Sequence, residues 1–147
     1  MSSTQTEHEG RTGAEIADAE RVGGTGLDSN VAGALSYLLG FVTGIVFYVL
    51  EPEDEFVRFH AAQSIVTFGA IFLASFVVGT VLSLLTGLFV TGVGLSFVAA
   101  ILGVVFGLVW LVFGLGTLAL WLFLMLRAYQ GETVRVPVAA NLADRLV

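Results

Sequence analysis

Two stretches of the chain carry no charge at all, residues 31–50 and 61–126. An apolar run of about 20 residues is enough to cross a bilayer as a helix, and the second stretch far exceeds that. Neither shows the polar stripe that a soluble amphipathic helix would need. Neither alternates polar and apolar residues over ten positions, as a membrane β-barrel strand would. The pattern predicts an all-α, polytopic integral membrane helical bundle.

The punctuation places the elements. Asp28, Ser29 and Asn30 are good N-caps immediately before the first apolar run, which predicts a first span at about 31–50. Glu51-Pro52 ends it, because proline cannot continue the hydrogen-bond ladder. A second span of about 55–85 begins near Asp54 or Glu55, whose carboxylates suit a helix N-terminus. "TGLFVTGVG" (86–94) is the best turn, leaving a third helix of about 95–129, roughly 50 Å long, with Gly103, Gly107 and Gly114 as kink points. A turn at 114–116 would instead give four spans. Arg127, Tyr129 and Gly131 form a helix stop at the membrane–water boundary. The organisation is then an acidic disordered tail at 1–27, a transmembrane bundle at 28–131 and a surface segment at 132–147. In that last segment Val138, Leu142 and Leu146 predict a short amphipathic helix, on the membrane surface or against the bundle.

Charge and composition narrow the classes. The net charge is −6, and all six basic residues are Arg. An acidic, Lys-free chain fits a salt-adapted source or GC-biased codon usage, and it argues against nucleic-acid binding. Cysteine is absent, so there is no disulfide framework, thiolate nucleophile or Cys-ligated metal. The N-terminus lacks the basic start and apolar core of a secretory signal. No HExxH, GxSxG, P-loop or His/Cys metal spacing occurs, so no catalytic, cofactor or metal residues are expected.

Small residues mark where helices meet in lipid. Gly33, Tyr37, Gly40, Gly44 and Tyr48 line one face of the first helix. His60, Gln63, Ser64 and Thr67 begin a polar face on the second, continued by Ser75, Gly79, Ser83 and Thr86. Ser96, Ala99, Gly103, Gly107, Trp110, Gly114, Thr117 and Trp121 step along the third. Together the three seams predict one compact bundle.

The only internal charges are Glu51, Glu53, Asp54, Glu55 and Arg58, with His60 two positions beyond Arg58. Polar groups at membrane depth are costly and often functional, and histidine titrates near neutrality, so a proton or cation site is one reading. The plainer reading places Arg58 and His60 at the membrane boundary, bonded to loop backbone or to the C-terminal segment. A hydrolytic carboxylate pair from Glu53 and Glu55 is the weakest reading, since acids at a helix start are ordinarily solvated caps. His8 lies in the acidic tail and is not read as a ligand.

Gly40 and Gly44, Glu51, then Phe56, Arg58, Phe59, His60, Gln63 and Ser64, with Ala128, Tyr129, Gly131, Glu132, Pro137 and the ending "NLADRL", form a recognisable set. Over about residues 32–147 the chain resembles small prokaryotic membrane proteins grouped with the chloroplast inner-envelope protein-import subunit. That resemblance implies a pore or scaffold subunit with no assigned role in prokaryotes. With three spans, the 51–64 cluster and the motif after the third helix meet on one face. Glu51, Arg58, His60, Gln63, Ser64, Arg127, Tyr129, Gly131 and Glu132 then form a structural clasp or docking surface, with Arg58 and His60 reaching groups of 127–137.

The expected function is a non-enzymatic scaffold or translocation-related subunit, multi-pass in the cell membrane. Its expected partners are the bilayer and other membrane proteins or itself. The alternative is a small ion or solute channel subunit, acting as an oligomer through the polar face of the second helix. Three spans place residues 51–58 and the C-terminus on the same side, expected to be cytoplasmic.

Overall fold

The computed structural model describes residues 24–92 and 96–146. The expected tail up to residue 23 and part of the expected turn, residues 93–95, lie outside them. The described elements are all helical: α1 (Ser29–Leu35), α2 (Phe41–Leu50), α3 (Glu55–Gly92), α4 (Ser96–Tyr129) and α5 (Ala139–Ala143). Two of these, α3 and α4, are long and apolar enough to cross a membrane, over Glu55–Thr91 and Phe97–Tyr129.

The first apolar run is not the single helix that its composition predicts. It breaks between α1 and α2, where Gly40 takes φ +60° and ψ −131°. Without a Cβ, glycine adopts this left-sided conformation freely. The break opens backbone groups that a bilayer would leave unpaired, and side chains pair them instead. Ser36 Oγ donates to the Gly33 carbonyl at 2.6 Å. Thr43 Oγ1 accepts from the Leu39 N–H and donates to the Ser36 carbonyl, each at 3.1 Å. Trp121 Nε1 on α4 donates to the Tyr37 carbonyl at 2.6 Å, and Ser64 Oγ on α3 donates to the Gly40 carbonyl at 2.9 Å. Partners from both long helices thus hold the break, and hydropathy along the chain carries no sign of it.

The second helix runs past its expected end near Leu85, so residues 86–92 are helix rather than turn. Thr91 Oγ1 bonds the Gly87 carbonyl at 2.7 Å, which satisfies its hydroxyl within the helix. Leu88, Phe89 and Val90 continue the apolar surface, and glycine is well tolerated in membrane helices. At 38 residues α3 is about 57 Å long and at 34 residues α4 is about 51 Å, both well beyond a hydrocarbon core of about 30 Å.

The core gathers at one end of this hairpin. Ala34, Tyr37, Phe68, Leu124 and Ala128 form one buried cluster, with Phe41, Trp121, Val134 and Val136 packed against it. Phe59, Ala62, Ala140 and Ala143 form a second, beside Tyr48. The rest of α3 and α4 projects as a two-helix hairpin with its Leu, Val and Phe side chains mostly exposed. Gly33 and Gly44 are close-packed: a Cβ would lie 2.8 Å from the Phe56 ring at Gly33, and 3.0 Å from the Ala61 carbonyl at Gly44. Gly79 stands 4.0 Å from Trp110 by the same measure, whereas Gly103, Gly107 and Gly114 have nothing within 4 Å. The expectation of one bundle zipped along three seams therefore fails over the far half of α4. There the glycine face is left open.

The C-terminal helix turns its Val138, Leu142 and Leu146 face away from the bundle, which excludes that face as the one packed against the bundle and leaves it free for a membrane surface. Ala139, Ala140 and Ala143 are buried against the bundle, while Val138, Leu142 and Leu146 point outward. Methyl groups let the helix backbone approach Phe59 and Ala62 closely, which the longer side chains would prevent.

Candidate functional site

A polar cluster lies where α1, α2, the start of α3, the end of α4 and the C-terminal segment meet. Helical spacing sets His60, Gln63, Ser64 and Thr67 along one face of α3, and all four are buried. Tyr37, fully buried in the break of the first apolar run, lowers its hydroxyl onto that face. Gln63 Nε2 donates to Tyr37 Oη at 3.1 Å, and Tyr37 Oη pairs with His60 Nδ1 at 3.0 Å. A phenol oxygen both donates and accepts, so the His60 tautomer sets the direction of that bond, and Nε2 is the ring nitrogen left outside it. That Nε2 is buried beside the backbone of Glu132 without a bond of good geometry. Phe56, Phe59 and Tyr37 surround the imidazole, with ring centroids 4.5, 5.5 and 5.7 Å away.

Gln63 also fastens the C-terminal segment. Nε2 donates to the Val134 carbonyl at 3.0 Å, and Oε1 accepts the Val136 N–H at 3.1 Å. Its side chain pairs with that backbone as a neighbouring strand would. Both amide protons and the carbonyl oxygen are in use.

Arg58 bonds loop backbone and the C-terminal segment, as the plainer reading expects, but at Pro52 and Leu146 rather than within 127–137. Its NH1 donates to the Pro52 carbonyl at 3.3 Å, and its NH2 to Tyr48 Oη at 3.2 Å and the Leu146 carbonyl at 3.3 Å. Tyr48 Oη donates to the same Leu146 carbonyl. The guanidinium lies over the Tyr48 ring at 5.1 Å. Arg58 therefore ties α2, the 51–54 loop and the chain's C-terminal residues together, while Gln63 rather than His60 bonds within 127–137.

The remaining expected residues take local roles. Glu51 is buried, and its Oε1 accepts the Thr25 N–H at 2.9 Å and the Thr25 hydroxyl. This fixes residues just before α1 to the end of α2. Asp54 caps α3, accepting the Val57 N–H at 3.0 Å, and also takes the Ser29 hydroxyl. Gly131, at φ +78°, ends α4: Glu132 N–H bonds the Arg127 carbonyl at 3.0 Å and Gly131 N–H the Ala128 carbonyl at 2.9 Å. That pair of bonds is a Schellman stop. Arg127 and Glu132 form an exposed ion pair away from the cluster. Tyr129 contributes its carbonyl, which accepts Asn30 Nδ2 at 3.0 Å.

Sequence reasoning missed Tyr37 and Tyr48 as polar partners and counted them only as seam residues. A tyrosine in an uncharged run, one face away from His60 and Gln63, was the available signal, since a buried phenol needs a partner. Among the described residues no three His, Cys, Asp or Glu side chains converge as metal ligands. A cavity of about 380 Å³ lies elsewhere, between the projecting helices, lined by Ala74, Val78, Phe106, Val109, Trp110 and Phe113 among others.

Residues 26–143 match a family described as magnetosome magnetite crystal formation proteins. The chain is 40% identical over 123 residues to a UPF0132 membrane protein of Methanocaldococcus jannaschii, covering 82% of this chain and 89% of the relative. It is 37% identical over 121 residues to a UPF0132 membrane protein of Archaeoglobus fulgidus, covering 82% and 97%. A second M. jannaschii protein of the same designation is 33% identical over 120 residues, covering 82% and 71%. No solved structure matches. The chloroplast-import resemblance drawn from the motifs gains no support from these relatives, which are named only as membrane proteins.

Proposed function

We propose, for a chain that belongs to the magnetosome magnetite crystal formation protein family, the role of a non-enzymatic membrane scaffold acting through lateral association. The observation that carries this reading is the division of labour along the molecule. At the clustered end, Tyr37, Arg58, Gln63 and Ser64 bond backbone and one another, with Gln63 fully engaged, while Thr67 Oγ1 and His60 Nε2 are buried without a partner. At the other end, a long apolar hairpin leaves Gly103, Gly107 and Gly114 open for a neighbour. The cluster acts as a clasp that holds the chain ends, and the hairpin supplies the membrane-embedded surface. The first apolar run, folded as α1 and α2, returns to the end it starts from, where Thr25 bonds Glu51 and Ser29 bonds Asp54; α3 and α4 make the two crossings, rather than the three expected spans, and the protein is multi-pass in the cell membrane.

Reconstitution into liposomes tests the reading. The scaffold gives no ion or proton flux, and crosslinking in native membranes captures lateral neighbours. Flux that disappears in His60→Ala or Gln63→Leu would overturn it in favour of the channel reading.

A further inference from the structure

Pro137, Val138 and Ala139 form a tight three-residue turn. Val138 sits at φ +69° and ψ −53°, and the Ala139 N–H closes the turn on the Pro137 carbonyl at 2.9 Å. This is the γ-turn of the positive-φ kind, which is rare and strained. A β-branched residue there is a genuine outlier, and among the described residues Val138 alone is a non-glycine with positive φ. The strain lies between two anchored pieces of chain. Val134 and Val136 are held by Gln63, while α5 and Leu146 are held by Phe59, Ala62, Tyr48 and Arg58.

The way α5 is held is indifferent to which copy supplies it. Its polar links are the Leu146 main-chain carbonyl and the ion pair of Asp144 with Arg135, which lies over Phe59 and would meet a partner's Asp144 equally well, and its packing on Phe59 and Ala62 uses the methyls of Ala140 and Ala143. The opposite face, with Val138 70% and Leu146 48% exposed, is an apolar stripe that one copy leaves uncovered.

We propose that α5 is exchanged between two copies of this chain, each placing residues 139–146 on the partner's seat of Tyr48, Arg58, Phe59 and Ala62. The exchange straightens the turn at Val138 and removes its strain, a recognised drive for segment swapping. With Val136 still fastened to its own Gln63, Ala139 reaches at most about 10 Å away in extended chain. The two seats therefore face each other closely across a two-fold axis. The outward stripes of the two α5 helices meet there and become buried. The exchange names a second copy as the scaffold's lateral partner and rests on the scaffold reading for its purpose.

The chain has no cysteine, so disulfide trapping is clean. Differently tagged Ala62→Cys and Ala143→Cys copies are produced together, oxidised in native membranes and separated without reductant. Exchange predicts a disulfide heterodimer carrying both tags. Val138→Gly, which accepts positive φ without strain, lowers its yield by about fivefold or more. Leu142→Cys, on the exposed stripe and harmless to folding, forms a homodimer across the axis. The proposal is overturned if the Ala62→Cys/Ala143→Cys double variant bridges only within single chains and no heterodimer forms, or if Val138→Gly leaves the heterodimer yield unchanged. Flux in liposomes with the heterodimer intact would remove the scaffold reading and leave the exchange. No heterodimer and no flux would do the reverse.

Discussion

Gln63 and Val136 stand 73 positions apart in sequence, yet the side-chain carbonyl of one accepts the backbone N–H of the other at 3.1 Å. The same amide holds Val134 and Tyr37. One glutamine thereby joins the broken first apolar run, the first full crossing helix and the C-terminal segment.

Gln63→Leu should be strongly destabilising. It fills the space but orphans the Val134 carbonyl and the Val136 N–H, and a buried unpaired group costs about 1–3 kcal/mol. A loss of at least about 2 kcal/mol is expected in thermal unfolding in detergent, where conservative change elsewhere on the surface stays within about 0.5 kcal/mol. A melting point equal to the parent's would count against the clasp.

Arg58→Ala removes three donated bonds, among them the bond to Leu146. A hydrogen bond from a charged group contributes about 1.5–3 kcal/mol, with the low end appropriate to this half-buried side chain. Limited proteolysis should clip the segment after Gly131 faster in Arg58→Ala than in the parent. Glu53→Ala, an exposed position, should cleave at the parental rate. Identical digestion of Arg58→Ala and parent would show that the C-terminal end is held without Arg58.

The glycines should divide by position. Gly40→Ala forces a Cβ onto φ +60° and within 3.3 Å of Phe68 Cβ, so it should destabilise by about 1–3 kcal/mol. Gly107→Ala meets open space within the chain and should raise stability slightly, as alanine is the better helix former by about 1 kcal/mol. Paired melting curves decide this. Gly103→Leu or Gly107→Leu should leave the melting point near the parent's while weakening lateral crosslinking in membranes.

Sidedness follows from the contact between Arg58 and Leu146. Cysteines at Glu53 and Asp144 should react with an impermeant thiol reagent from the same side of sealed vesicles. Labelling from opposite sides would contradict the placement of the two chain regions at one end of the hairpin.

Local pattern in the chain determined that the protein is helical and apolar, where charge interrupts it, and the stop at Gly131. These follow from hydropathy and from chain chemistry that acts over a few residues: proline's missing donor, aspartate at a helix start, glycine past a helix end. The polar face His60, Gln63, Ser64 and Thr67 was also legible, because helical periodicity puts residues three and four apart together. Only the tertiary structure decided which partners those residues take. Tyr37 and Trp121 are 84 positions apart, and their bond is what lets the first apolar run break at Gly40 instead of continuing as helix. The buried face of α5 was likewise set from outside: the seat formed by Phe59 and Ala62 admits methyl groups, so the alanines turn inward and the leucines out. Hydropathy ranks leucine above alanine for burial, but close approach of two backbones reverses that order, and the approach exists only once the chain has folded.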